Sequence, residues 1–211
     1  IHLSQGAYIF RMHISDTQLK GDCHIMGDEN HFGNVTVTDT LRNRDISGGI
    51  MLTTSGGFIN NGVITSHNSY LIELHVEGNF YNHGDAMLNE VTFTGSGIQE
   101  FSSTPGMIRE ADIGNAKPDG NVVVVDDLNL TNCELYFNDH EIHLQDADMY
   151  ADGGQINSII IHGNGNDLTM QNGGFFWDVY FKDITLKNNV GGRGTSNTFE
   201  NVTVEDTLSR G

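Results

Sequence analysis

The chain has 211 residues and a formal net charge of −18, from 28 acidic and only 10 Lys and Arg side chains. A surface this acidic repels nucleic-acid phosphates and anionic lipids, so we expect neither nucleic-acid binding nor membrane insertion. The chain has 26 Gly and 2 Pro residues. Gly, like the frequent Asn, accepts the positive φ angles of tight turns, which predicts an all-β chain with many turns.

Short segments with alternating apolar residues follow one another along the chain, and this alternation predicts β-strands. In chain order these predicted strands are 34–41, 49–52, 57–64, 70–80, 90–95, 121–130, 134–137, 141–144, 156–163, 167–170, 174–186 and 197–208. Residues 103–120 contain both prolines and no clear alternation. We expect this segment to form an irregular excursion that presents a loop to a partner.

Strands this short are not stable alone or as isolated hairpins, so they need a neighbour on each side. Three strands in a coil of about 20 residues, each paired with its equivalent in the next coil, meet this need. The sequence therefore predicts a right-handed parallel β-helix, a β-solenoid, of about ten short coils. An antiparallel β-sandwich or jelly roll is the alternative, but its strands usually recur at a longer spacing.

One phrase occurs near both ends of the chain, as "GNVTVTDTL" at 33–41 and "ENVTVEDTL" at 200–208. In a solenoid, we expect the two copies to form the same piece of two different coils. Their apolar residues would face the core, and these are Val35, Val37 and Leu41 in the first copy and Val202, Val204 and Leu208 in the second.

Several longer phrases resemble a known class of proteins. They are "GNFYNHG" (78–84), "VTFTGSGIQEFSS" (91–103) and "DLNLTNCELYFNDHEIHL" (127–144). In order and spacing they are similar to the repetitive β-solenoid surface and secreted proteins of Bacteroidetes-type bacteria. The resemblance covers most of the chain, although acidic and His residues replace several of the usual Thr, Asn and Gly. It implies an extracellular location, export by the type IX secretion route, and a role as an adhesin or stalk.

These observations predict a non-catalytic structural or adhesive segment of a bacterial cell-surface or secreted protein. We expect residues 1–211 to be one β-helix segment of a much larger parent chain. Its partners would be a surface glycan or protein ligand, the rest of the parent chain, or a second copy stacked end to end. Two alternatives remain open: a carbohydrate-binding or polysaccharide-cleaving β-helix, and a fibre or filament segment.

Clustered carboxylates are the signature that a polysaccharide-cleaving β-helix would need. The candidates are Asp126, Asp127, Asp146, Asp148 and Asp152. No basic residue lies near them in the sequence, and adjacent residues of a strand point to opposite faces. We therefore interpret them as solvated acidic turns without a catalytic role. No cofactor is expected, although Ca²⁺ bound by oxygens of 146–154 is left open.

The His and Cys residues show no metal-ligand spacing. His140 and His143 are three residues apart and would face opposite sides of a strand, so we expect no metal site there. Cys23 and Cys133 would lie about five coils apart, and solenoid coils contact only their neighbours. We therefore expect two buried thiols and no disulfide.

Four aromatic residues, Phe175, Phe176, Trp177 and Tyr180, lie close together in the sequence. We expect them to pack in the core or at a coil corner, with stacking on sugar rings as the alternative.

The tripeptide "DTL" occurs in both copies of the repeated phrase. It fits the O-glycosylation acceptor pattern of the bacteria whose proteins this chain resembles. Thr40 and Thr207 are therefore predicted glycan acceptors.

Overall fold

The computed structural model describes residues 8–44, 49–66, 72–109, 111–115 and 120–210. These residues form no helix, and therefore none that is long and apolar enough to cross a membrane. The strands are β1 (Tyr8–Phe10), β2 (His13–Ile14), β3 (Thr17–Leu19), β4 (Asp22–Met26), β5 (Asn30–Phe32), β6 (Val35–Val37), β7 (Thr40–Asn43), β8 (Ile50–Thr54), β9 (Phe58–Asn60), β10 (Val63–Ser66), β11 (Ile72–Val76), β12 (Phe80–Asn82), β13 (Asp85–Met87), β14 (Glu90–Phe93), β15 (Gly97–Arg109), β16 (Asp112–Asn115), β17 (Gly120–Thr131), β18 (Glu134–Leu144), β19 (Met149–Asp152), β20 (Gln155–His162), β21 (Asp167–Gln171), β22 (Phe175–Lys182), β23 (Thr185–Lys187), β24 (Asn189–Arg193), β25 (Thr198–Glu200), β26 (Thr203–Val204) and β27 (Thr207–Arg210).

Every strand pairs in parallel with the equivalent strand of the next coil, and this gives three faces that run along the molecule. Face 1 begins with β1, β4 and β7 and ends with β23 and β26. Face 2 begins with β2, β5 and β8 and ends with β24 and β27. Face 3 begins with β3, β6 and β9 and ends with β25. The predicted parallel β-solenoid is confirmed, with about 9 turns.

Five strands, β15, β17, β18, β20 and β22, are long because each turns a corner and continues onto the next face. Between faces 2 and 3 the corner residues have left-handed backbone angles, with φ of 52° at Asn138, 47° at Ser158 and 53° at Asp178. Asn and Asp tolerate this region better than other non-Gly residues. This tolerance accounts for part of the abundance of Asn and Asp in the sequence.

The core is a set of stacked apolar columns inside the coils, because alternate residues of each strand point inward. On face 3, Phe58, Phe80 and Phe101 occupy the same register in three successive coils and are fully buried. Their ring centroids lie 5.7 and 5.6 Å apart. Each ring therefore packs on the coil before and the coil after, and no coil completes its core alone.

Buried amides form a second inner column next to these rings. Asn60 Nδ2 donates to Asn82 Oδ1 at 2.7 Å, and Asn82 Nδ2 donates to Ser103 Oγ at 3.1 Å. All three residues are fully buried. Burying an amide is costly unless it is hydrogen-bonded, so the column pairs each amide with the next coil.

The predicted irregular excursion at 103–120 is wrong for most of its length. Residues 103–109 are the second half of β15, and Asp112–Asn115 form β16, which pairs with β14. Ser103 pairs with Leu128 and Ile108 with Leu130, so β15 holds three extra residues between these pairs. Pro105 lies among the extra residues, where a missing N–H costs no ladder hydrogen bond. Residues 110 and 116–119 lie outside the described residues.

The two copies of the repeated phrase do not form the same piece of a coil, and that expectation is wrong. The first copy runs from β6 on face 3 to β7 on face 1, whereas the second runs from β26 on face 1 to β27 on face 2. Val35, Val37 and Leu41 are buried, as expected. Val204 and Leu208 are 37% and 43% exposed, because within the described residues the last coil has a neighbour on one side only.

Both cysteines are buried thiols outside any disulfide, as predicted. Cys23 pairs in register with Leu41 on face 1, and Cys133 lies between β17 and β18. The distance in coils between them prevents a bridge.

Candidate ligand-binding surface

Two outward columns of side chains run along face 2. Because the strands are parallel and in register, equivalent residues of successive coils lie about 4.8 Å apart. The first column contains Glu73, Glu90, Asp112, Glu134, Gln155 and Phe175. The second contains His75, Thr92, Gly114, Tyr136, Asn157 and Trp177. Face 2 is therefore acidic in its middle and aromatic toward its end.

The first four members of the first column form a carboxylate column: Glu73, Glu90, Asp112 and Glu134. Thr92 Oγ1 donates to Glu90, and Gln155 Nε2 donates to Glu134. No described side chain donates a hydrogen bond to Asp112. Burial and the neighbouring carboxylates of Glu134 and Glu90 raise the pKa of Asp112, since like charges in adjacent coils oppose its ionisation.

An open depression lies beside Asp112. It is lined by Glu90, Thr92, Asp112, Gly114, Tyr136 and Asn138. Gly114 stands between Thr92 and Tyr136 in the second column, and a Cβ there would lie 2.7 Å from the backbone oxygen of Tyr136. The glycine therefore keeps the floor of the depression free, and a ligand group can reach the Asp112 carboxyl.

The end of the carboxylate column formed by Glu73 and Glu90 could hold a cation together with His75. His75 Nε2 lies 3.7 Å from Glu90 Oε1, and Glu73, His75 and Glu90 each place one donor atom within 4.8 Å of the others. Two carboxylates and one imidazole suit a divalent cation.

The aromatic end of face 2 presents two rings to solvent. Phe175 and Trp177 are half-buried, and their ring centroids lie 5.3 Å apart at an interplanar angle of 26°. The guanidinium carbon of Arg193, in the next coil, lies 3.9 Å from the centre of the Phe175 ring. A cation this close to an aromatic face is held by the ring quadrupole. Phe175 therefore stacks on Trp177 and carries the Arg193 guanidinium, and the three side chains form one outward cluster with hydrogen-bond donors at its edge.

The expectation that these aromatics pack in the core or at a coil corner is correct for Phe176, which is fully buried, and for Trp177, which lies directly before the corner residue Asp178. Phe175 and Trp177 alternate with it and therefore point outward on face 2. Tyr180 lies on face 3, half-buried, and its hydroxyl donates to Glu200.

The acidic turns have a structural role that the sequence did not reveal. Asp127 Oδ1 accepts a hydrogen bond from the backbone N–H of Asp148 at 3.0 Å, and Asp148 Oδ1 accepts one from that of Asp167 at 2.9 Å. Asp152 accepts from Asn172. These carboxylates therefore join successive coils at the corners, as N-cap side chains do at helix ends.

The structure does not bring the other acidic candidates into a common site. Asp126 and Asp146 are exposed, and Asp146 has a φ of 51° in its turn. Within the described residues, the clusters of three potential metal ligands lie elsewhere and include none of Asp126, Asp127, Asp146, Asp148 or Asp152.

Sequence reasoning compared His143 only with His140 and missed its true neighbour. His143 pairs in register with His162, and their rings stack 4.3 Å apart. The signal was available in the spacing, since 19 residues separate the two histidines and that is close to one coil.

The two predicted glycan acceptors differ in exposure. Thr40 is half-buried in β7, between Asp22 and Val63 in register, whereas Thr207 is exposed in β27 of the last coil. Glycosylation of Thr40 and Thr207 stays a prediction.

No protein-family model, no curated protein and no solved structure matches the chain. The resemblance to the Bacteroidetes-type surface proteins therefore rests on the sequence phrases quoted above, and function has to be argued from the surfaces that the solenoid presents.

Proposed function

We propose that the chain is a structural and adhesive segment of an exported bacterial surface protein, and that face 2 binds an extended glycan. The observation that supports this proposal is the outward pair Phe175 and Trp177 at the end of two continuous columns of polar side chains. Flat aromatic rings beside polar groups are the surface on which sugar rings stack, because a sugar has an apolar face and a polar edge.

The architecture suits a load-bearing role. Backbone hydrogen bonds join every coil to its neighbours along the molecular axis, and corner side chains such as Asp16 and Asn34 add bonds in the same direction. About nine coils at about 4.8 Å each give a rod of about 4 nm. Such a rod would hold a binding face away from the surface to which it is attached.

The charge of face 2 selects among glycans. The carboxylate column would repel a polyanionic chain lying along it, and the net charge of −18 adds to this repulsion. A neutral or amino-bearing glycan fits the face directly. An acidic glycan would need a divalent cation to bridge it to Glu73 and Glu90.

The test is retention of the purified chain on a panel of neutral, amino-bearing and acidic polysaccharides, with and without Ca²⁺. We expect retention on a neutral or amino-bearing polysaccharide and a loss of at least about tenfold in affinity, about 1.4 kcal/mol, for Trp177→Ala. Tyr150→Ala is the matched control, because Tyr150 is an exposed aromatic on face 1. The absence of retention, or equal retention of the two variants, would count against a glycan-binding face 2.

Polysaccharide cleavage is the second candidate, and the environment of Asp112 favours it. A carboxyl with a raised pKa beside two further carboxylates, in an open depression, matches the general acid of a glycosidase. The same panel tests this candidate through new reducing ends. We expect Asp112→Asn to abolish any cleavage and leave retention intact. Retention without cleavage would favour the adhesive proposal.

A further inference from the structure

Two histidines from successive coils stack on the outer side of face 3, away from the carboxylate column and the aromatic pair of face 2. His143 of β18 and His162 of β20 are direct partners in the parallel ladder. Their ring centroids lie 4.3 Å apart and their planes differ by 7°. The ladder thus places the two rings side by side.

A carboxylate lies between the outer edges of the two rings. Glu141 is two residues before His143 on the same strand, so its side chain points to the same side. Its Oε2 lies 3.0 Å from Nε2 of His143 and 3.5 Å from Nε2 of His162. All three donor atoms lie within 4.8 Å of one another.

His162 has a buried ring nitrogen with only a long contact among the described residues. Its Nε2 lies 3.5 Å from Glu141 Oε2, which is too far for a well-formed hydrogen bond, and its side chain is 20% exposed. Buried polar atoms are paired in the large majority of cases, so this nitrogen has unused capacity for a further ligand.

The neighbouring charges leave room for a cation. Lys182 follows His162 in the column, but its Nζ is held by Glu200 Oε1 at 2.9 Å in the next coil. This ion pair is neutral overall, so the Glu200 carboxylate offsets the repulsion between the ammonium and a cation at the histidines. Glu141 adds a carboxylate to the two imidazoles on a strongly acidic protein, which favours a bound cation.

We propose that Glu141, His143 and His162 bind a divalent transition-metal ion, with Zn²⁺ as the expected occupant. Two imidazole nitrogens and one carboxylate oxygen suit Zn²⁺, Cu²⁺ or Ni²⁺, whereas Ca²⁺ requires mostly oxygen ligands. In a tetrahedral Zn²⁺ site with bonds of about 2.0–2.1 Å, donor atoms are about 3.3–3.4 Å apart. The two distances from Glu141 bracket this separation. The two stacked rings must tilt out of their parallel arrangement, so that both Nε2 lone pairs point at one ion.

The metal would join two coils and keep an open position. Its ligands come from β18 and β20, so ligation cross-links successive coils. Three protein ligands leave the fourth position of the tetrahedron to water or to a ligand oxygen or nitrogen. The site is independent of the glycan-binding proposal, because face 3 supplies every ligand.

The first experiment is isothermal titration of the tag-free full chain with ZnCl₂, together with a Co²⁺ titration followed by visible absorption. We expect one Zn²⁺ bound with a Kd of micromolar or below, and the intense absorption bands of tetrahedral Co²⁺. His162→Gln and Glu141→Gln should each weaken this binding at least tenfold. His140→Gln is the matched control, since His140 lies on the same strand outside the cluster, and it should bind as the original chain does.

The variants also separate this site from the cluster on face 2. His75→Gln removes the only imidazole of the Glu73, His75 and Glu90 cluster. Far-UV circular dichroism checks that every variant is folded, and half-buried Glu141 offers the mildest change. The proposal is overturned if the folded chain binds no Zn²⁺, or if His75→Gln abolishes binding while His162→Gln and Glu141→Gln leave it unchanged.

Discussion

The two copies of the repeated phrase, 33–41 and 200–208, have nearly the same sequence and quite different surroundings. In the first copy, Leu41 is fully buried between the coils before and after it. In the second, Leu208 pairs with Val190 on one side and is 43% exposed. The copies also occupy different faces. The phrase therefore specifies a local unit of strand, corner and strand, and the neighbouring coils decide whether its apolar residues are buried.

What the two copies share is the hydrogen bond made at the corner. Asp39 Oδ2 accepts from the backbone N–H of Gly21 at 2.9 Å, and Asp206 Oδ2 accepts from that of Asn188 at 3.0 Å. Each acceptor reaches 18 residues back, to the preceding coil. The Asp of "DTL" is thus a coil-joining residue on any face, which gives a structural reason for the repetition.

The largest expected difference between the copies is in the cost of removing their leucines. Leu41→Ala should lower the free energy of unfolding by about 2–5 kcal/mol, because it leaves a cavity in a packed core. Leu208→Ala should cost less than about 1 kcal/mol, since the side chain is already partly in water. Urea denaturation followed by circular dichroism measures both. Similar losses for the two variants would mean that Leu208 is covered in solution.

The corner aspartates should behave alike where the leucines differ. Asp39→Ala and Asp206→Ala should each cost about 1 kcal/mol, the usual value for a lost side-chain bond to a backbone N–H. Asp39→Asn keeps the acceptor and serves as the control, with a smaller loss expected. The same denaturation experiment measures these variants. If only Asp39→Ala lowered the free energy of unfolding, the corner hydrogen bond would stabilise only coils that have neighbours on both sides.

The fold could be predicted from sequence because its signals are local. Alternation within each strand, and Gly and Asn between strands, are visible within ten residues. The prediction of an irregular excursion at 103–120 was wrong because prolines usually interrupt strands. Here Pro105 falls among three extra residues that leave the ladder, and Ile108, Ala111 and Ile113 are nevertheless buried in the core.

The carboxylate column of face 2 could not be predicted because coil length varies. The members of the carboxylate column, Glu73, Glu90, Asp112 and Glu134, follow one another at 17, 22 and 22 residues. Early in the chain, His13 and His31 are 18 residues apart in register. Without the length of each loop, no fixed period places two side chains in one column. Because coil length varies, the sequence also did not show that the two copies of the repeated phrase lie on different faces.

The smallest expected effect is that of removing one carboxylate charge. It extends the comparison between a coil that has neighbours on both sides and the last coil. Asp112 has carboxylates in the coils on both sides, and burial and these neighbours raise its pKa. In the last coil, Glu205 Oε2 lies instead 3.9 Å from Lys187 Nζ. Asp112→Asn should therefore stabilise the protein at pH 7 by about 0.2–1 kcal/mol, whereas Glu205→Gln should be neutral or slightly destabilising.

The pH dependence of stability tests whether the charge of Asp112 causes the gain expected for Asp112→Asn. A raised pKa means that folded Asp112 holds its proton more tightly than the unfolded chain does, so its ionisation opposes folding above the folded pKa. That penalty falls as the pH drops through the folded pKa and is gone below the pKa of the unfolded carboxyl. The gain from Asp112→Asn should shrink over the same interval in thermal melts between pH 7 and pH 3. A gain that persists at pH 3 would mean that the asparagine acts through packing, because no carboxylate charge would then remain to be removed.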